Sequence, residues 1–217
     1  MDPQALYTRR FPPERNAQRD RLWAVLCRRV LQRYVQAGDT VLDLGAGRCE
    51  FLRHIRCARK VAIDATPAVR SYAGPDIHVI VGDTLQILPQ IGDCTVHVVF
   101  CSNFLEHLPN KEAVWAVLQE STRILTEGGR LVILQPNIRI AFREYWDFFD
   151  HHVPLSDRSL REAVEALGLE IVTLKPRFLP FTTVHAYPQP AWLLHLYLSL
   201  PPLQWCFGKQ LLLVAKK

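Results

Sequence analysis

A mostly parallel α/β sheet covered by helices on both faces is the fold that the 217-residue sequence predicts, from three observations. Short β-rich runs alternate with helical periodicity, those runs are apolar nearly throughout instead of at every second residue, and a glycine bend follows the first of them. Strands that are apolar on both sides are buried on both sides, and parallel neighbours need helical crossovers to bring the chain back to the same edge. Hydrophobic residues make up 49% of the chain, enough for one substantial core, so residues 1–217 are expected to form one domain.

The elements follow in order. A helix is expected over residues 19–36, with Leu22, Leu26, Val30 and Tyr34 in one stripe and Ala37-Gly38-Asp39 as its stop. The core, residues 40–174, holds strands at 40–44, 60–63, 78–81, 96–101, 130–134 and 170–174. The helix before the fifth strand shows one face of Val114, Val117, Leu118, Ser121 and Leu125, and Glu127-Gly128-Gly129 reads as the turn after it. Another helix runs from Asp157 to Leu167, with Ser156 as N-cap and Gly168 as stop. The last strand lies in 210–217. Residues 175–209 read as an insertion, because Pro176, Pro180, Pro188, Pro190, Pro201 and Pro202 crowd there among aromatic residues. Its AWLLHLYLSL run is apolar nearly all round but too short to span a bilayer. Two readings stay open for it: a helix buried on the sheet or in a homodimer contact, and peripheral contact of residues 191–207 with a lipid surface or lipid-like substrate.

Lys and Arg outnumber Asp and Glu by 26 to 21, and the excess gathers near the N-terminus in Arg9, Arg10, Arg15, Arg19, Arg21, Arg28, Arg29 and Arg33. That is a mildly basic face, not a nucleic-acid tail. The cysteines Cys27, Cys49, Cys57, Cys94, Cys101 and Cys206 form no Cys-x-x-Cys pair, so reduced thiols are expected instead of a zinc site or disulfides. The start of the chain carries no apolar signal region, and a cytoplasmic protein, membrane-associated only through 191–207, is the expectation.

VLDLGAGRCEF, residues 41–51, is the most informative segment. An apolar strand ends in Asp43-Leu44. Gly45 and Gly47, around Ala46, then let the backbone turn sharply and approach a ligand, and a helix beginning near Cys49 or Glu50 turns its free N–H groups toward it. A dinucleotide loop would carry a third glycine where Glu50 stands, and a carboxylate there would meet a pyrophosphate badly. Asp43 can instead hold an ammonium group. Asp64 ends the second strand before Ala65, placed to accept hydrogen bonds from two ribose hydroxyls. Gly82-Asp83-Thr84 closes the third strand, where Asp83 could accept an adenine amino group and Ile80 or Leu85 pack its ring.

The series VLDLGAGRCEF, VAID, VGDTL, VVFCSNFLEHL and LTEGGRLVILQPN resembles the motif series of class I S-adenosylmethionine-dependent methyltransferases, in order across residues 40–137. The resemblance implies a Rossmann-like seven-stranded sheet of order 3-2-1-4-5-7-6 with an antiparallel last strand, S-adenosylmethionine as cofactor and S-adenosylhomocysteine as product. It implies cofactor contacts at Asp43, Gly45, Gly47, Asp64, Asp83 and Asn103, with Leu44, Ala46, Ala65, Gly82, Thr84, Ser102, Phe104 and His107 completing the lining. Cys49 departs from the family at a position often glycine, and His97 at one commonly Asp.

Methyl transfer is an in-line displacement, so the protein must mainly align donor and acceptor and sometimes remove a proton. Candidate bases belong after the fourth and fifth strands. Glu106-His107 could be a base with its carboxylate or half of a metal site; metal-binding RNA-terminal methyltransferases resemble Glu-x-x-Glu-His, but Asn103 stands at the first Glu, and no metal is assigned. After the fifth strand, Phe142, Tyr145, Trp146, Phe148 and Phe149 mix with Asp147, Asp150, His151 and His152 in what reads as a water-excluding pocket roof. His152 is the first choice of base, oriented by Asp150 or Asp147, with His107 and His151 as further candidates; a bland reading makes the aromatic residues core and the histidines caps. The DFFDH, RFLPFTT and FGKQ stretches resemble bacterial methyltransferases acting on sugars, glycolipids or secondary metabolites. Arg139, Arg143, Arg177 and Lys209 would favour an acidic acceptor. A small-molecule, sugar or lipid-linked acceptor is expected; a nucleic-acid or protein methyltransferase, or a catalytically silent cofactor-binding protein, is the alternative.

Overall fold

A computed structural model describes residues 16–181 and 191–217. Helix α1 (Asn16–Arg29) and a 3-10 turn (Leu31–Tyr34) lead into β1 (Thr40–Leu44), α2 (Glu50–His54), β2 (Arg59–Asp64), α3 (Val69–Tyr72), β3 (Ile77–Val81), α4 (Thr84–Ile87) and β4 (Val96–Ser102). There follow a 3-10 turn (Leu105–His107), α5 (Lys111–Ile124), β5 (Leu125–Pro136), α6 (Ile138–Tyr145), α7 (Asp157–Ala166), β6 (Glu170–Leu179), α8 (Ala191–Ser199), α9 (Pro201–Phe207) and β7 (Gln210–Lys216).

The sheet has seven strands in the order β3-β2-β1-β4-β5-β7-β6, and β7 runs antiparallel to both its neighbours. Its two faces form separate cores, as the side-chain period of two requires. Leu131 and Ile133 of β5 and Leu211 and Leu213 of β7 face α5 and α7, whereas Val132, Leu134, Leu212 and Val214 face α1 and α2. All eight side chains are buried, which is why these strands read as continuous apolar runs. The reversal of strand order between β1 and β4 opens a crevice at their carboxyl ends, the usual ligand position in such sheets.

Several boundaries differ from the sequence reading. The first helix stops at Arg29, and the stripe continues through Leu31 and Tyr34 as a 3-10 turn that keeps both buried. Glu127-Gly128-Gly129 is no loop: β5 begins at Leu125, and residues 126–129 bulge opposite His97, between the pairs Val96–Leu125 and Val98–Arg130. A Cβ on Gly129 would lie 2.8 Å from the Thr126 carbonyl oxygen, so the bulge closes only on glycine. β6 runs on to Leu179 and takes Lys175-Pro176-Arg177-Phe178 from the expected insertion, bulging between Lys175 and Leu179. Pro188 and Pro190 lie outside the described residues. The cap at Ser156 forms as read: its hydroxyl accepts from Ser159 N–H at 3.0 Å in a capping box.

Candidate active site

The bend after β1 is built from left-handed residues, with φ of +67° at Gly45, +52° at Gly47 and +56° at Cys49. Cys49 is the N-cap of α2, so a cysteine adopts a conformation that glycine takes at no steric cost, which is the physical content of the departure noted there. Burial, then the Asp43 charge, pushes its thiol up to about 12, so the sulfur is inert packing. Gly45 and Ala46 N–H both donate to the Ile63 carbonyl, at 2.9 and 3.1 Å, tying the bend to β2. A Cβ on Gly45 would stand 2.6 Å from the Phe104 ring, so the bend packs directly on the segment after β4. Gly45→Ala is expected to lower the melting temperature through this clash and a backbone penalty of about 1–2 kcal/mol; differential scanning calorimetry checks it.

Asp64 is half-buried, and each carboxylate oxygen already accepts one backbone N–H: Gly47 at 2.8 Å and Thr66 at 2.7 Å. A carboxylate has about four acceptor sites, so two remain for a ligand. Asp43 is buried at 3% exposure, and its carboxyl is held well above the usual carboxylate range by burial first, then by Asp64 and Glu50. Glu50 is itself buried and pairs with Arg19 of α1 at 2.8 Å. Three carboxylates converging on one glycine bend suit a cationic ligand, whose charge would relieve their repulsion.

The other expected lining residues divide. Asp83 is exposed and caps α4, accepting from Leu85 N–H at 3.0 Å, while Thr84 is buried and Gly82 and Ser102 are half-buried. Asn103 takes φ +48°, donates its backbone N–H to Leu134, and accepts from Gln210 Nε2 at 3.2 Å. Ala65 is exposed beside Asp64. His97 accepts the Thr40 N–H on Nδ1 at 3.1 Å, an acceptor role open to Asp as well.

Beyond β4 the turn carrying Glu106 and His107 is laced to the segment after α6. The Glu106 carbonyl accepts from His152 N–H at 2.8 Å and Val153 N–H at 3.2 Å. His107 Nδ1–H donates to the Asp150 carbonyl at 2.8 Å, with the Asp150 carboxylate 3.4 Å away. That bond places the ring proton on Nδ1 and leaves the lone pair on Nε2. His151 is buried, stacks on Phe148 with centroids 4.8 Å apart, and meets His107 edge-on at 5.1 Å and Tyr145 at 4.6 Å. Glu106, His107 and His151 each offer a ligand atom, all within 4.8 Å of one another, so this group could close on a divalent ion.

The structure therefore gathers His107, His151 and Asp150 but not His152. The His152 ring is exposed, and Asp150, expected to orient it, serves His107 instead. The roof is also only partial: Tyr145 is buried and Phe148 half-buried, while Phe142, Trp146 and Phe149 are exposed, Phe149 at 75%. Arg139 is engaged by Asp157 through contacts of 2.8 and 2.9 Å, and Lys209 pairs with Glu144, so two of the four cations expected to attract an acidic acceptor are neutralised within the fold. Sequence reasoning missed Arg19, Gln210 and Gln135. The first two act through partners distant in sequence. Gln135, at the end of β5, has both amide atoms buried without a partner among the described residues, which neither composition nor spacing signals.

The family model described as a methyltransferase domain matches residues 15–174. The chain belongs to that family. Comparison with curated proteins gives no match. Among solved structures, an S-adenosylmethionine-dependent methyltransferase from Archaeoglobus fulgidus is 21% identical over 100% of both chains, with a TM-score of 0.73. A chain from the complex of the Haloferax volcanii Trm112 methyltransferase activator with a methyltransferase is 20% identical, covering 98% of this chain and 94% of that one, with a TM-score of 0.70. Geranyl diphosphate C-methyltransferase from Streptomyces coelicolor A3(2), bound to Mg2+, geranyl diphosphate and S-adenosyl-L-homocysteine, is 17% identical over 89% of this chain and 80% of that one, at a TM-score of 0.61. At these identities the shared property is the fold.

Proposed function

We propose that this methyltransferase uses S-adenosylmethionine to methylate an oxygen or nitrogen atom of a small-molecule, sugar or glycolipid-type acceptor, with His107 as general base. The observation that carries the acid–base half of this reading is the His107 Nδ1–H···O bond to Asp150, which leaves Nε2 able to take a proton. When bound, the cofactor supplies a methyl carbon activated by its sulfonium charge. Asp43 would hold its ammonium group and Asp64 its ribose hydroxyls. Glu106 and His151 flank His107, and the Phe148 and Tyr145 rings pack on His151. Incubation with methyl-labelled cofactor and a panel of hydroxyl and amine acceptors tests the acceptor class by mass spectrometry; label on carbon alone would contradict it.

The three-ligand spacing of Glu106, His107 and His151 favours one competing reading, in which a bound divalent ion orients the acceptor oxygen. Turnover is expected to survive exhaustive treatment with a chelator if His107 is the base. Loss on chelation with recovery on adding a divalent metal would transfer the role to the ion.

Cofactor binding should also depend on pH through Asp43. Its folded carboxyl is raised by burial and by its acidic neighbours, and a cation binds its ionised form. Affinity is therefore full above that raised value and falls as pH drops through it. Titration calorimetry across the acid range checks this, and Asp43→Asn should flatten the curve while weakening binding.

A further inference from the structure

Residues 191–207, AWLLHLYLSLPPLQWCF, contain no charged side chain, yet α8 and α9 bury only one side. On the inner side the Tyr197 hydroxyl donates to the Phe178 carbonyl of β6 at 2.9 Å, and Gln204 Nε2 ties α9 to α8 by donating to the Leu198 carbonyl at 3.2 Å. On the outer side Trp192, Leu193, Leu196, Leu200, Trp205 and Phe207 are exposed, the first four at helical stripe spacing and the two tryptophans at 64% and 72%. The rim is cationic. Arg29 of α1 donates to Ser199 at 2.9 Å, and the Arg177 guanidinium lies 5.6 Å from the Trp205 ring centroid. Between α1, β6 and α8, a cavity of about 310 Å³ is lined by Arg28, Arg29, Arg33 and Lys175, with no carboxylate in its wall among the described residues.

We propose that α8 and α9 form a peripheral docking surface for an anionic membrane, the tryptophans and leucines entering the headgroup boundary and the Arg28–Arg29–Arg33–Lys175 cavity taking a lipid phosphate. Among the described residues no helix is long and apolar enough to cross a bilayer, so the contact is lateral. Charge selects the occupant. A second copy packed across a two-fold axis would bring the same cationic rim against itself, whereas an anionic leaflet complements it. The surface shares no residue with the proposed cofactor and base set and does not depend on the proposed acceptor.

Co-sedimentation of the full chain with phosphatidylcholine vesicles, with and without phosphatidylglycerol, tests the proposal. The protein is expected to pellet with the anionic vesicles, to stay in solution with the neutral ones, and to be released by salt. Trp192→Ser with Trp205→Ser should weaken vesicle binding roughly tenfold or more, as should Arg33→Glu with Lys175→Glu. Unchanged melting temperature and unchanged S-adenosylmethionine affinity in both variants separate this result from misfolding or from failure of the methyltransferase reading. Equal binding to neutral vesicles, no binding to either kind, or a concentration-dependent dimer abolished by the tryptophan substitutions overturns it.

Discussion

His107→Ala is expected to lower kcat by about 10²–10⁴-fold while cofactor affinity stays close to the parent value, because a positioned general base contributes that much to the chemical step. Initial rates with a saturating acceptor measure it. The proton on Nδ1 is fixed by a backbone carbonyl, so Asp150→Asn, which keeps that carbonyl, should cost far less than His107→Ala. His152→Ala is expected to be nearly silent, since that ring is exposed and only its backbone is tied to the turn. Normal turnover in His107→Ala together with loss in His152→Ala would reverse the assignment.

Asp64→Ala should weaken S-adenosylmethionine binding at least about a hundredfold. Two charge-assisted hydrogen bonds to the ribose are lost, each worth about 1.5–3 kcal/mol, and about 3 kcal/mol corresponds to roughly two decades in Kd. The structure adds a second cause: Asp64 also accepts the Gly47 N–H, so its removal loosens the bend that receives the other end of the ligand. Asp64→Asn keeps one acceptor oxygen and should fall between the two. Titration calorimetry reads both variants, and an unchanged Kd would remove Asp64 from the site.

The sheet and the glycine bend after β1 were legible because their causes are local. Strand positions follow from apolar runs, and the bend follows from its two glycines, of which Gly45 stands where a Cβ would strike the Phe104 ring. Boundaries failed where tertiary pairing overrode local signals. Gly128 and Gly129 look like a loop, yet β4 and β7 hold them within β5 as a bulge; Pro176 looks like a break, yet β6 tolerates it at the sheet edge beside a bulge. The histidines show the deeper limit. Adjacent residues His151 and His152 are equivalent in composition, and only the lacing of both segments through the Glu106 carbonyl turns one inward and the other out. Arg19 and Glu50 are likewise unremarkable in sequence and meet only because α1 docks over the bend.

A crystal structure with S-adenosylhomocysteine measures the central assignment most directly. The account predicts both ribose hydroxyls on the Asp64 carboxylate, the amino-acid end against Asp43 and the Gly45–Gly47 backbone, and the sulfur on the side facing His107. A nucleoside seated outside the crevice at the ends of β1 and β2, or no binding at concentrations that saturate related enzymes, would contradict it.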